Sequence, residues 1–280
     1  MIKVLEPGVY NSVQDLGRIG FAKKGIPKGG AMDLVATKMA NAILKNDVSN
    51  AVIEITYGLG EFKFTIDTYI SLTGANYTPM LNGVTIKMNS IIAVKKEDVV
   101  SFGKRKYGAR IYLAVKGGVQ TEKIFNSRSF FQGITSKIRL GKGDSLQIKS
   151  PEKPIGKMHS KVKLSKASCD LQELECFKGP EFEKLNLAQK KSLLQLFTIT
   201  TDNNRVGYRL KEIILNNLKP ILTSAVLPGT VQLTPSGRLI VLMRDCQVTG
   251  GYPRVLQLTN ESIDKLAQKM TNENLKFVIK

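Results

Sequence analysis

Asp15-Leu16-Gly17-Arg18-Ile19-Gly20-Phe21 and Asp202-Asn203-Asn204-Arg205-Val206-Gly207-Tyr208 spell one pattern twice: Asp-x-x-Arg, an aliphatic residue, Gly and an aromatic ring. Two further echoes follow in the same order. Ile26-Pro27 with Gly29-Gly30 is answered by Leu227-Pro228-Gly229, and Thr73-Gly74-Ala75-Asn76 by Thr249-Gly250-Gly251-Tyr252. Ordered repetition of this kind indicates a tandem duplication, so the fold should consist of two related halves. The Lys-, Pro- and Ser-rich stretch Lys149–Lys166 has little periodicity and reads as the connection between them. The expected division is 1–150, a linker at 151–166, and 167–280.

Working outward from the repeats, short β-type runs dominate. In the first half they are Ala51–Thr56, Glu61–Ile66, Tyr69–Thr73, Ile91–Val94, Val99–Phe102, Ile111–Val115 and Ser145–Ile148. The second half supplies Phe197–Thr200, Thr230–Thr234, Leu239–Met243, Arg254–Thr259 and Leu275–Ile279. Gly, Asn and Asp turns at short intervals separate them, the pattern of barrels or sandwiches rather than of βαβ units. Helices are few. Asp33 can cap one with an apolar face of Val35, Met39, Ala42 and Ile43; Asn260 can cap another carrying Ile263, Leu266, Ala267 and Met270; a third lies around Asn186–Leu196. The expected class is mainly β with a few packing helices.

Composition narrows the function. The 280-residue chain carries 42% hydrophobic and 23% charged residues, an ordinary globular mixture. Its start lacks the apolar core of a signal peptide, and no segment approaches the roughly 18 apolar residues of a membrane span, so a cytoplasmic, membrane-free protein is expected. Three cysteines without C-x-x-C spacing and a single histidine, His159, do not supply a zinc site or an ordinary Ser-His or Cys-His dyad. The net charge of +19 raises nucleic-acid binding. The lysines are dispersed, however, and no reader motif is present. An acidic partner or an anionic substrate explains the charge more economically.

The candidate chemistry starts at the repeats. Asp and Arg three residues apart, beside glycine, can brace a tight loop through a charge-assisted hydrogen bond. Alternatively Arg18 and Arg205 converge on a cleft and bind a carboxylate or phosphate bidentately. Gly25, Gly29 and Gly30 precede a helix whose N–H groups could meet an anion, and Asp33 there is either the cap or a site residue. This is not a Walker A sequence. Glu54 interrupts an aliphatic strand; it faces solvent, pairs with a cation such as Arg18, or acts as an acid–base group. Ser127-Arg128-Ser129 is an anion-binding cluster or a solvated loop. In the second half, Gln232, Asp245, Thr249, Gly250 and Tyr252 gather polar groups around a strand exit and a Gly-Gly loop.

These segments resemble the family called allophanate hydrolase subunit 2, or biotin-dependent carboxyltransferase subdomains C and D. The resemblance rests on Ser12 through Asp33, Leu72-Thr73-Gly74-Ala75-Asn76, Asn126-Ser127-Arg128-Ser129, Asn204 through Leu210, Pro228–Gly237 and Asp245–Arg254. It implies paired cyclophilin-like β-barrels and a place in an ATP-dependent 5-oxoprolinase, opening 5-oxo-L-proline to L-glutamate with homologues of that enzyme's subunits B and A. ATP with Mg is the implied cofactor; no biotinyl-lysine motif occurs. On this resemblance Arg18, Arg128 and Arg205 bind anionic oxygens; the implied catalytic residues are Asp15 and Asp245, which position groups or a metal, and Glu54, an acid–base candidate. Gly30, Asp33, Asn76, Tyr208, Gln232, Thr249, Gly250 and Tyr252 complete the implied binding set. Asn76, Cys246 and Ser236 depart from the family pattern, where an acid, an arginine and an aspartate are common. The implied alternatives are the carboxyltransferase of a biotin-dependent urea carboxylase system and a non-enzymatic antagonist of a histidine-kinase inhibitor.

Overall fold

A computed structural model describes residues 1–149 and 172–280. The chain forms two compact units. Met1–Gly17 and the chain from Asp33 onward make the first; Arg18–Met32 and the C-terminal stretch make the second. The expected contiguous half 1–150 is thereby corrected, because residues 18–32 belong to the second unit. Met32 lies in that unit's core, and Gly30 and Met32 are held there through their carbonyls by Arg205 and Arg244. The linker expected at 151–166 lies outside the described residues.

The first unit contains two antiparallel sheets. One has five strands in the order Asn11–Gln14, Val52–Thr56, Tyr107–Val115, Thr68–Asn76 and Ile92–Val94. Direct cross-strand partners share a face. The row Val13, Ile53, Leu113 and Leu72 is apolar and faces the core. One residue along, the row Ser12, Glu54, Tyr112 and Thr73 lies on the opposite face, and it too is buried. The second sheet has six strands, Ser145–Leu146, Ile2–Glu6, Glu61–Phe64, Val99–Phe102, Pro79–Leu81 and Val84–Thr85. It contributes Ile2, Val4, Phe62, Phe64 and Val100 to the same core.

Helix α1 (Leu34–Ile43) begins where expected, with the Asp33 carboxylate accepting from Ala36 N at 2.8 Å. Its buried face is not the expected one. Val35 is 52% exposed and Ala42 is exposed as well; of the expected residues Ile43 is buried, and Ala36, Thr37, Ala40 and Asn41 join it. The reason lies in the sheet beneath. Thr73 Oγ1 donates to the Ala36 carbonyl at 2.7 Å and Ser71 Oγ to the Ala40 carbonyl at 2.6 Å. Such close approach needs alanines at the contact, so small residues rather than the largest aliphatics face inward.

The second unit is a closed seven-stranded barrel. Its order is Glu173–Lys178, Arg254–Leu258, Thr230–Leu233, Arg238–Leu242, Gly207–Ile213, Leu196–Asn203 and Asn274–Ile279. A parallel pairing of the last strand with the first closes it, and the remaining pairs are antiparallel. Closure removes the sheet edges that would otherwise invite association. The barrel is filled by Leu174, Phe197, Tyr208, Leu210, Val231, Val241, Leu256 and Phe277 among others. Helix α2 (Leu187–Ser192) starts with a capping box between Asn186 and Gln189. Helix α3 (Asn260–Ala267) is capped by Thr259, not by Asn260. A short ribbon pairs Ser224–Ala225 with Thr249–Gly250. The mainly β class with a few packing helices holds.

Candidate functional site

The second face of the five-stranded sheet is where the first unit departs from ordinary packing. Ser12, Gln14, Glu54, Thr56, Arg110, Tyr112, Ser71 and Thr73 are all buried polar groups. Buried polar atoms without partners are costly, so such a surface has to be wired together or kept for a ligand. Part of it is wired. Gln14 Nε2 donates to Ser12 Oγ at 2.9 Å, and the Tyr112 hydroxyl accepts from the Asp33 amide at 2.8 Å. Arg110 Nε lies 3.9 Å from Glu54 Oε1, in a pair that is almost wholly buried. Burial, reinforced by the negative charges of Glu54 and Asp33, pushes the Tyr112 phenol well above its ordinary value and keeps it protonated. Another part is left open: Gln14 Oε1 is buried with no hydrogen-bond partner among the described residues.

At the end of the first strand of that sheet, Asp15 is the centre of a tight cluster. Its carboxylate accepts from Gly17 N at 2.8 Å and from Ser127 Oγ, Ser129 Oγ and Arg128 N at 2.6 Å each. Ser129 Oγ also accepts from Asp15 N at 2.9 Å. The carboxylate thus fixes the backbone of the Ser127–Ser129 loop. Ser127-Arg128-Ser129 is therefore no floppy solvated loop, and Asp15 acts as its anchor. Arg128 Nη2 donates to Gln120 Oε1 at 2.8 Å.

In the second unit the implied residues sort differently. Asp245 receives Arg205 Nε at 2.7 Å and Nη2 at 2.9 Å, and Nη2 also reaches the Gly30 carbonyl at 2.5 Å. Gly30 has φ 95, a left-handed conformation that glycine adopts without penalty. Arg205, expected to bind an anion, and Asp245, expected to position groups, are paired with each other in a largely buried brace. Within-motif pairing is corrected: Asp202 pairs with Arg209 on the surface, and Arg205 reaches across to a different strand exit. Arg18 is 1% exposed, and its amide donates to Lys28 O at 2.7 Å. Tyr208 is a barrel core residue rather than a surface ligand group. Gln232 Nε2 lies 3.5 Å from the Tyr252 carbonyl, and a Cβ at Gly250 would come within 2.7 Å of that nitrogen. Gln232, Gly250 and Tyr252 therefore lie together, while Thr249 is exposed and pairs in the ribbon with Ala225.

The departures from the family pattern have local structural roles. Asn76 Oδ1 accepts from Thr78 N at 2.9 Å and shapes a turn in which Thr78 takes φ 47. Ser236 Oγ sits 3.0 Å from Thr234 Oγ1 within a turn. Cys246 is buried against Val226 and Leu242, and burial pushes its thiol up to about 12. Asp33, expected as cap or site residue, caps α1 while its amide supports Tyr112. Sequence reasoning missed Tyr112 and Arg110. The signal for them was a tyrosine inside the apolar run Ile111–Val115, which places a hydroxyl on a strand that alternation alone makes half core. Among the described residues, no cluster of three or more His, Cys, Asp and Glu could hold a metal ion, and no helix is long and apolar enough to cross a membrane.

Comparison with known proteins places this geometry in context. The family model described as "Carboxyltransferase domain, subdomain A and B" matches residues 24–279, a description that names A and B where the sequence pointed to C and D. The chain is 30% identical over 285 residues to the C subunit of 5-oxoprolinase from Escherichia coli, covering 99% of this chain and 91% of that one. It is 34% identical over 156 residues to the urea amidolyase of Lachancea kluyveri, covering 54% of this chain and 8% of that one. The crystal structure of TTHA0988 superposes with a TM-score of 0.87 at 23% identity, covering 99% of this chain and 55% of that one. The chain thus spans about half the length of that solved protein and nearly all of the bacterial relative.

Proposed function

This chain belongs to the carboxyltransferase-domain family, subdomain A and B, and from that premise we propose that it serves as one subunit of an ATP-dependent 5-oxoprolinase. The enzyme opens the lactam of 5-oxo-L-proline to L-glutamate, and homologues of its subunits A and B are the proposed partners. The observation that carries the reading is that the match to the Escherichia coli protein runs nearly end to end in both chains. A shared module inside a larger protein would match only a part.

On this reading the polar sheet face supplies the chemistry. Glu54 is the acid–base group, taking a proton from the attacking water or returning it to the departing amide nitrogen. Arg110, beside it, supplies a buried cation that can stabilise negative charge developing nearby. Tyr112, held as a protonated phenol, occupies the next position across the sheet. The unsatisfied Gln14 Oε1 supports a ligand on this face, since a donor from a bound amide would complete it.

ATP with magnesium supplies activation of the otherwise inert lactam oxygen. We assign it to the assembled complex rather than to a cradle at the start of α1. There the Ala36 amide is already taken by the Asp33 carboxylate, and a triphosphate would meet like charge. Reconstitution with both partners and Glu54→Gln tests the reading: glutamate formation should fall by roughly 10²- to 10⁴-fold with assembly intact. Unchanged turnover would remove Glu54 from the mechanism.

A second reading has one observation in its favour, the higher identity to urea amidolyase over about half of the chain. The same reconstituted complex would then carboxylate urea from a biotin donor and leave 5-oxoproline untouched.

A further inference from the structure

The first unit contains a cleft of about 240 Å³ apart from the polar sheet face. Phe130, Leu140 and Leu146 give it an apolar floor, and Arg128, Thr121 and Glu122 give it polar walls. Its volume is below the roughly 300–1,000 Å³ of sites for drug-sized molecules, so it suits a small metabolite and not a nucleotide. Lys137 and Asp144 also line it, but they pair with each other.

Arg128 is the distinctive group. Its backbone is locked by Asp15, and one guanidinium nitrogen is oriented by Gln120 Oε1 at 2.8 Å. The remaining guanidinium nitrogens make no hydrogen bond to the described residues, while the side chain lines the cleft. A planar fork held at two points and presented to an apolar-floored cavity is arranged for a carboxylate. Glu122, which also lines the cleft, makes no ion pair with a cation among the described residues and is an acceptor for an N–H donor.

We propose that this cleft binds a small carboxylate with an N–H on the carbon next to the carboxyl group, Arg128 taking the carboxylate and Glu122 the N–H. Naming 5-oxo-L-proline as that ligand rests on the oxoprolinase reading; the chemical class does not. The ring of such a ligand would lie on Phe130, Leu140 and Leu146. The Asp15 cluster then acquires a purpose, because fixing the Ser127–Ser129 backbone fixes the direction of the guanidinium.

Calorimetric titration of the full chain with 5-oxo-L-proline, L-glutamate and cyclopentanecarboxylate tests the proposal. The last ligand has the carboxylate but no N–H. Arg128→Gln should weaken 5-oxoproline binding by roughly 10- to 100-fold, the range expected for loss of a charged hydrogen bond. Glu122→Gln should weaken it less and erase the preference over cyclopentanecarboxylate. Arg128→Gln spares the backbone bond to Asp15, so an unchanged melting curve separates lost binding from lost folding. Equal binding by wild type and Arg128→Gln overturns the proposal, as does a wild-type chain that takes up none of the three ligands. The reconstituted complex separates this proposal from the reading beneath it. A complex carrying Arg128→Gln that forms glutamate normally, built from a chain that binds 5-oxoproline as tightly as the wild type, would sink the subsite and leave the oxoprolinase reading standing. A complex inert toward 5-oxoproline, built from a chain that binds carboxylates through Arg128, would do the reverse.

Discussion

Asp15-x-x-Arg18 and Asp202-x-x-Arg205 share a spelling, yet the two copies are used in opposite ways. In the first, the acid is the structural centre: four donors converge on the Asp15 carboxylate and hold the Ser127–Ser129 loop. In the second, the acid is on the surface paired with Arg209, and the arginine is the centre, clamped on Asp245 and the Gly30 carbonyl. A duplicated pattern therefore preserves where polar groups enter a fold more faithfully than which of them is buried. Burial decides the role, because a charge removed from water must find its own partners.

The contrast makes graded predictions. The largest effect belongs to Arg205→Ala, which leaves the largely buried Asp245 carboxylate without its guanidinium. Urea unfolding should show a loss of about 3–5 kcal/mol. A loss below about 1 kcal/mol, the ordinary value of an exposed pair, would break the distinction between the two copies. Asp15→Asn comes next. It keeps the shape but loses charge-assisted acceptance, and about 1.5–3 kcal/mol should disappear. Faster hydrogen exchange at residues 127–129 should accompany it, and its absence would show that the loop is held by something else.

A smaller effect is expected from Glu181 and Arg254, the ion pair of the second unit's Arg254 strand. Hydrogen bonds from Arg254 hold the Glu181 carboxyl below its ordinary value of 4.5. The folded value is the depressed one, so this contribution is complete above about 4.5 and is lost as pH falls through the folded value. Glu181→Gln should flatten the acid limb of a melting-temperature profile and leave the region near neutrality unchanged in slope. The smallest effect is that of Asp202→Asn, whose exposed pair with Arg209 should be worth no more than about 0.5 kcal/mol. A larger loss would mean that the surface acid has the buried role of its counterpart.

The same difference explains what is legible in the sequence. Runs such as Val99–Phe102 and Ile111–Val115 announce strands because β-branched and aromatic residues cluster between turn residues, and each lies within an observed strand. Asn11–Gln14 is not legible. Its alternate polar residues are buried on a second inner face, a condition that no local pattern marks as strand. Glu173–Lys178 lacks an apolar run for a related reason: only Leu174 and Cys176 point into the barrel. The inner face of α1 escapes a reading guided by side-chain size, because hydroxyls from Ser71 and Thr73 demand alanines there.

For the site, motif spelling locates Asp15, Arg128 and Arg205 but cannot assign their partners. Partner choice depends on segments more than a hundred residues apart for Asp15 with Ser127, and forty apart for Arg205 with Asp245. The row Ser12, Glu54, Tyr112 and Thr73 exists only through strand register. Register is a tertiary property, set by the pairing of whole hydrophobic faces. Glu54 stands out from its place in an aliphatic strand, while its neighbours Arg110 and Tyr112 emerge only once the strands are aligned.

The most direct test of the account is glutamate formation from 5-oxo-L-proline and ATP by purified homologues of subunits A and B, with and without this chain. Turnover that appears only when the chain is added, and that Glu54→Gln lowers by roughly 10²- to 10⁴-fold, is the predicted result. Equal turnover in its absence, or a complete complex that consumes no 5-oxoproline, would contradict it.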